Sequence, residues 1–376
     1  MSASVEKSLK NLRARMKKHR EKVRAKLKSS KKFDTERTKT VPTDTKEESN
    51  EVAPVINLLD QDQHLIDNRL RAGDEHSSYS NSDSDLSNYD DGDDDTGITH
   101  NEAFKCIVNH GAYYACERCL CSGYDYMKRI VYPFMYDQER TGESFKNREN
   151  PLHHSGDSPL EKLKKPHNLV LLFILDIMHL NYQGNMKKLL KSWFSSESKI
   201  TQEKLYRVSL RLVNLKRQIP VGFQRSTRSA EDVSKYTANE FREILVYTGP
   251  FVLKDILDDE EYKHYLLFHT GSRILCSSEL YKKYTTCAKE YLQRFTMLTE
   301  ELYGLEFASL NNHSLAHIAD DVENMDCPAS FLTAFPFEND LGELKRFIRS
   351  GNKPLAQICT KIERFGIQFE ESCYTC

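Results

Sequence analysis

The sequence predicts an α+β protein, mostly helical, with a Cys/His knuckle and a disordered N-terminal region before it. Three observations lead there. Charge divides the chain into three parts, although the formal net charge is −2. Residues 1–40 carry 15 Lys/Arg and 4 Asp/Glu, residues 41–100 carry 3 and 16, and residues 101–376 carry 36 of each. Cysteine concentrates at the head of the neutral part: four of the ten fall in residues 104–121, FKCIVNHGAYYACERCLC. From Ile177 onward, apolar residues recur at helical steps.

Residues 1–32 read as a basic helix or arm. Val5, Leu9, Leu12, Met16, Val23 and Leu27 form a seam of three- and four-residue steps, with His19 in the gap. The seam suits a short coiled coil or a docking helix. Its Lys and Arg residues read either as a nuclear-import signal with a phosphate-binding arm or as a solvated face without a partner. Residues 33–98 form an acidic linker ending in SSYSNSDSDLSNYDDGDDD. Such a segment buries too little apolar area to offset chain entropy, so disorder is expected. Its short apolar patch, Val55–Leu59, suits a transient helix or a partner motif.

No apolar segment of a secretory signal is present. The longest apolar run, Leu169–Leu175, stops at Asp176 and falls short of the roughly 20 residues that span a bilayer. A soluble, intracellular, nuclear protein is expected, with no membrane partner and with cysteines reduced or metal-bound. Cys276, Cys287 and Cys359 read as small buried residues of helices.

The body starts near Thr99. Its Cys/His-containing part, 99–167, opens with short strands and turns over 104–135 and continues as a long polar loop over 136–167. The helical part, 168–376, opens with Leu169–Leu175 as a buried strand. Helices are expected at 177–193, 201–216, 236–257, 259–275, 278–303, 311–325, 336–349 and 354–364. Tyr262, Tyr265, Leu266 and His269, for example, share one helical face. No internal repeat is present.

Cys116 and Cys119 have the spacing that aims two thiolates at one metal ion, and a structural zinc needs four such ligands. Neighbouring side chains of extended backbone point oppositely, so His153 and His154 do not easily both contribute. One of them with His110, Cys106 or Cys121 completes a set. His313 and His317 share a helical face and precede Asp320 and Asp321, but no third ligand is fixed by spacing, so packing is the expected role. Asp176 reads equally as a metal-binding carboxylate and as a helix N-cap. His179, one turn on, reads as a second ligand or a core histidine. Glu338 follows Pro336 in a first helical turn, where the helix dipole favours it. Lys345, Arg346 and Arg349 form a basic edge for phosphates or simply a solvated face. No Gly-rich phosphate loop and no serine nucleophile elbow occur, which removes support for kinase and hydrolase functions.

Six segments occur in an order that resembles the transposases of CACTA-type (En/Spm-like) DNA elements in their animal form. They are FKCIVNHGAYYACERC, RTGESFKNRENPLHHSGDSPL, LDIMHLNYQGNMKKLLKSW, FQRSTRSAEDVSKYTANEFREILVYTGPFVLKDIL, NNHSLAHIADDV and FPFENDLGELKRFIRSGNKPL. Together they cover about residues 103–365. The resemblance implies a partial RNase H-like core, in which carboxylates hold two divalent ions such as Mg²⁺. Glu338 matches the late glutamate of that family, and Asp176-x-x-His179 matches its Asp/Cys-x-x-His feature. Asp176 and Glu338 are thus remnant candidates for catalysis. The family carries two further aspartates ahead of the cysteines. Here that stretch reads GITHNEAF, and Asp93, Asp94 and Asp95 lie in no strand context. The expectation is a truncated or repurposed transposase that binds zinc, and DNA through its basic arm, without intact strand transfer. An active metal-dependent DNA transposase or nuclease using Glu338 and a helical protein-interaction module are the alternatives.

Overall fold

Helical periodicity is realised along most of the body. The computed structural model describes residues 104–134, 137–162, 168–195, 200–216, 218 and 228–365. All lie within one of the chain's two units, His76–Cys376. The basic arm 1–32 and the acidic linker 33–98 lie outside the described residues.

Strands are few. β1 (Tyr124–Tyr126) and β2 (Arg129–Val131) form an antiparallel hairpin with Tyr124 opposite Val131. Its turn residues Met127 and Lys128 have φ of 49° and 66°. A turn left-handed at both central positions matches the twist of its strands. Among the described residues this hairpin is the whole sheet. Leu169–Leu175, expected as a buried strand, is instead a series of turns and bends. Among the described residues it has no strand alongside it; the carbonyls of Val170 and Phe173 accept from the Arg118 guanidinium.

The helices follow in chain order. α1 (Gly142–Lys146) starts at a Thr141/Ser144 capping box. A π-helical segment, Met178–Met186, continues as α2 (Lys187–Phe194). α3 (Gln202–Leu215) follows. The expected 236–257 span is composite: α4 (Ala238–Glu243), a second π segment (Ile244–Thr248) and α5 (Gly249–Leu253). α6 (Asp259–Cys276) and α7 (Tyr281–Tyr303) form the long central pair. α8 (Leu310–Ser314), a 3-10 turn (Leu315–His317) and α9 (Ile318–Met325) carry both histidines of the His-x-x-x-His pair. α10 (Phe335–Arg346) and α11 (Pro354–Phe365) close the described chain.

Local chemistry explains these elements. The Asp258 carboxylate caps α6 by accepting from the Glu261 amide at 2.8 Å. A Cβ on Gly271 would lie 2.8 Å from a Leu292 side-chain carbon, so glycine permits the close approach of α6 and α7. Each π segment turns carbonyls out of the regular ladder, and buried side chains take them up. The Tyr265 hydroxyl donates to Ile244 O at 3.0 Å, and His269 Nδ1 pairs with Leu245 O at 2.6 Å. In the first segment, Asn185 Nδ2 donates to Leu180 O at 2.9 Å.

A buried polar seam then places α8. Asn181 donates to Ser272 at 3.0 Å, and Asn185 to the Asn311 carbonyl at 3.2 Å. The Thr296 hydroxyl donates to the Asn312 carbonyl at 3.1 Å, and Asn312 Nδ2 reaches Thr299 at 3.3 Å. These bonds fix where α8 sits, although the side-chain oxygens of Asn181 and Asn312 are buried without a partner.

Glu243 on α4 is 3% exposed, and its Oε1 has no hydrogen-bond partner. Burial, helped by nearby Glu240, raises its carboxyl to about 7. A raised carboxylic acid adds no penalty below its unfolded value and its full penalty above its folded one. Stability is therefore lost as pH rises from about 4.5 through 7. Glu243→Gln should gain about 2 kcal/mol more over wild type at pH 8 than at pH 5.5, read by urea denaturation. An equal gain at both pH values would contradict this.

Candidate metal centre

The cysteine half of the site is a tightly pinned knuckle. The Tyr132 hydroxyl accepts from the Ala115 amide at 2.9 Å and donates to the Ala112 carbonyl. Arg140 Nε donates to the Cys116 carbonyl at 3.0 Å, and the Arg140 amide to the Arg118 carbonyl at 2.8 Å. The Cys119 amide points at Cys116 Sγ, 3.4 Å away. The two residues between the cysteines are also tied down. Glu117 pairs with buried Lys105. Arg118 NH2 forks onto Asp321 at 2.9 and 2.8 Å and onto the Phe173 carbonyl at 2.7 Å.

The histidine half comes from α8 and the turn after it. The Ser309 hydroxyl caps α8 through the Asn312 amide at 3.3 Å. His313 and His317, four residues apart, present Nε2 atoms 3.3 Å from each other. Cys119 Sγ lies 3.2 Å from His313 Nε2, Cys116 Sγ lies 3.8 Å from His317 Nε2, and the sulfurs are 3.4 Å apart. All four ligand atoms fall within 4.8 Å of one another, and all four residues are buried.

These separations fit a single ion. Tetrahedral zinc with Zn–S about 2.3 Å and Zn–N about 2.05 Å requires edges of roughly 3.8 Å for S–S, 3.6 Å for S–N and 3.3 Å for N–N. The four edges given lie within a few tenths of an ångström of these values, and the remaining two are within 4.8 Å. Among the described residues no other group brings three such ligand atoms together.

Electrostatics prepare the donors. Burial pushes the Cys116 thiol up, but the hydrogen bond with Cys119 and the His313 and His317 rings outweigh it and hold Cys116 well below the ordinary thiol range. The same sulfur–sulfur hydrogen bond pushes Cys119 up. The pair therefore keeps one proton without a metal, and a bound dication would displace it. Burial pulls His317 down, but Cys116 and Asp320 outweigh it and raise the ring to about 9. Asp320 Oδ2 faces His317 Nδ1 from 3.9 Å, beyond direct hydrogen-bond reach, while its other oxygen pairs with Lys289. His313 Nδ1 is buried without a partner.

The other expected ligands lie elsewhere. His110 is exposed in the turn at Asn109–Ala112. His153 is fully buried, yet its Nδ1 pairs with the Tyr114 carbonyl at 2.6 Å and its ring meets the edge of Phe145. Burial lowers it to about 4, so it props the knuckle from behind as a neutral ring. His154 packs on Phe145 at 4.6 Å. In their place stand His313 and His317, for which spacing alone favoured packing. The sequence signal was their i, i+4 spacing; their separation from the cysteines, 194 and 201 residues, hid the pairing.

Asp176, His179 and Glu338 form a second cluster. Asp176 Oδ1 accepts from the amides of Met178 at 3.0 Å and Ala334 at 2.9 Å, so it caps the π segment and fastens the approach to α10. His179 Nδ1 pairs with Asp176, and its Nε2 lies 3.0 Å from Glu338 Oε1. Hydrogen bonds to Asp176 first and Glu338 second raise His179 to about 9. The two carboxylates therefore sit on opposite sides of one imidazolium and do not converge on a common point. Lys345, Arg346 and Arg349 are exposed at and beyond the end of α10. Compared with known protein families, curated proteins and solved structures, the chain matches none.

Proposed function

We propose that the chain is a transposable-element-derived nuclear protein whose helical body is closed by one structural zinc ion. It binds DNA through its basic arm and lacks intact strand-transfer catalysis. The observation that carries the zinc reading is the tetrad of Cys116, Cys119, His313 and His317, with edges suited to one tetrahedral ion. Two thiolates and two imidazoles favour zinc over oxygen-seeking Mg²⁺ or Ca²⁺. Four protein ligands in a buried site leave no open position for substrate, which marks a structural rather than a catalytic centre.

The ordered series of segments supports descent from a CACTA-type transposase with a partial RNase H-like core. The meeting of Asp176, His179 and Glu338 adds to it, since it joins the residues that match the family's Asp/Cys-x-x-His feature and its late glutamate. Two-metal catalysis needs carboxylates that hold ions about 3.5–4 Å apart. Here His179 lies between Asp176 and Glu338 and pairs with both. The body's balanced charge leaves phosphate binding mainly to residues 1–40.

Metal analysis of the full chain purified without chelator should give about one equivalent of zinc. Cobalt substitution should produce thiolate-to-metal absorption that Cys116→Ser plus Cys119→Ser abolishes. A metal-free wild-type protein rejects the zinc reading. Deleting residues 1–40 should abolish salt-dependent DNA retention; binding that survives assigns it to the body. DNA cleavage with Mg²⁺ or Mn²⁺ that is lost in Glu338→Ala would overturn the claim of inactivity.

A further inference from the structure

Arg118 lies inside the Cys-x-x-Cys knuckle, but its side chain serves more distant segments. The guanidinium is 5% exposed and joins three elements: the knuckle itself, the Val170–Phe173 turns through two carbonyls, and α9 through Asp321. Asp321 is fully buried one helical turn beyond the ligand His317. Its Oδ2 also accepts from the Leu175 amide at 2.6 Å. The next residue is Asp176, whose carboxylate takes the Met178 and Ala334 amides and faces His179. The neighbouring Ile177 amide donates to the Leu332 carbonyl at 3.0 Å, and His179 then reaches Glu338. A path of hydrogen bonds, joined by the backbone between Leu175 and Asp176, thus runs from a ligand-bearing loop to the Asp/His/Glu cluster through one buried ion pair.

The consequence is mechanical. The knuckle and α8–α9 are far apart in sequence, and the tetrad is where their ligand atoms meet. Arg118 and Asp321 sit one on each half. With both halves clamped, the guanidinium and carboxylate are held at bidentate distance, and the Leu175 amide has a fixed acceptor. With the halves free to part, that acceptor moves with α9 while Leu175 stays with the turn preceding Asp176.

We propose that metal occupancy of the Cys/His tetrad orders the Asp176–His179–Glu338 cluster, with Arg118 and Asp321 as the positioning pair between the two sites. This rests on the zinc reading above. Coupling between sites is reciprocal, so weakening the pair must also weaken metal binding. Outer-shell partners of metal sites typically contribute about 10–100-fold to affinity.

The test uses the full chain, saturated with zinc, in wild-type, Asp321→Asn and Arg118→Lys forms. Arg118→Lys keeps the charge but loses the planar fork that meets both Asp321 oxygens from NH2 while NH1 reaches the Val170 carbonyl. Amide exchange is followed at Leu175–His179 and Ala334–Glu338, with α3 as the remote control, and zinc affinity is read by chelator competition. Both variants should bind one equivalent of zinc about 10–100-fold more weakly. At saturating zinc they should exchange about tenfold or more faster in the two cluster segments, with α3 unchanged. Stripping zinc from wild type should accelerate the same segments. Normal zinc affinity and exchange in both variants overturn the coupling, as does faster exchange spread equally over α3. Zinc bound at one equivalent, with exchange at the cluster indifferent to its removal, also overturns it while leaving the zinc reading intact. A wild-type chain that binds no zinc fails the underlying reading instead.

Discussion

Cys116→Ser with Cys119→Ser should lose all bound zinc and unfold at least about 8 °C below wild type, and His313→Ala with His317→Ala should do the same. The reason is that each pair supplies half of one tetrahedron. Structural zinc contributes about 10–16 kcal/mol of apparent binding energy in small finger peptides, which have almost no other core. Here α6, α7 and the polar seam fold around the site, so only part of that energy is expected to appear as lost stability. A loss of about 4 kcal/mol corresponds to the midpoint shift given, at about 2–4 °C per kcal/mol for a domain of this size. His153→Ala with His154→Ala is the discriminating control. It removes the bond to Tyr114 and a buried ring, so it should destabilise, yet zinc should remain at one equivalent. Metal analysis and a thermal melt on the three double variants decide the matter. Zinc lost in the His153/His154 variant but kept in the His313/His317 variant would reverse the assignment.

Asp321→Ala is expected to cost about 3–5 kcal/mol, the range for removing one partner of a buried ion pair. Asp321 is fully buried, and its loss strands the Arg118 guanidinium and orphans the Leu175 amide. Because the pair is out of solvent, added salt should barely change the loss. Arg118→Met combined with Asp321→Leu should recover much of it, since replacing both charges removes the desolvation penalty along with the attraction. Denaturant melts of the two single variants and the double variant measure the coupling. Purely additive losses would show that the two side chains do not act as a pair.

Helix placement was legible because it depends on local periodicity. The spans around α3, α6, α7, α10 and α11 lie within a few residues of where apolar spacing puts them, and the expected 311–325 helix is realised as α8, a 3-10 turn and α9. The π segments were not legible: the second is held by side chains of another helix, Tyr265 and His269, and the first by Asn185 within it, which apolar periodicity does not report. Leu169–Leu175 misled for a related reason. An apolar run reports burial but not what its carbonyls meet, and here they meet an arginine rather than a strand. Asp176 was read as either a cap or a metal carboxylate. It caps two segments and also faces His179, so the N-cap role holds and the cluster adds to it.

The metal centre divides in the same way. Sequence alone determined the two halves as local objects: Cys-x-x-Cys by its three-residue turn, and His-x-x-x-His by the helical repeat that puts both rings on one face. Each is set by backbone geometry within a handful of residues, so spacing shows which side chains lie together, although for His313 and His317 it favoured packing over ligation. Which half meets which was decided only by tertiary structure. His153 and His154 are nearer in sequence, but the Tyr114 carbonyl and Phe145 take up their rings. His313 and His317 are delivered to the thiolates by the buried bonds of Asn185, Thr296 and Thr299 to α8, and by the Arg118–Asp321 pair. A ligand set is a matter of distances of a few ångströms, and across some 200 residues those distances are set by packing rather than by spacing.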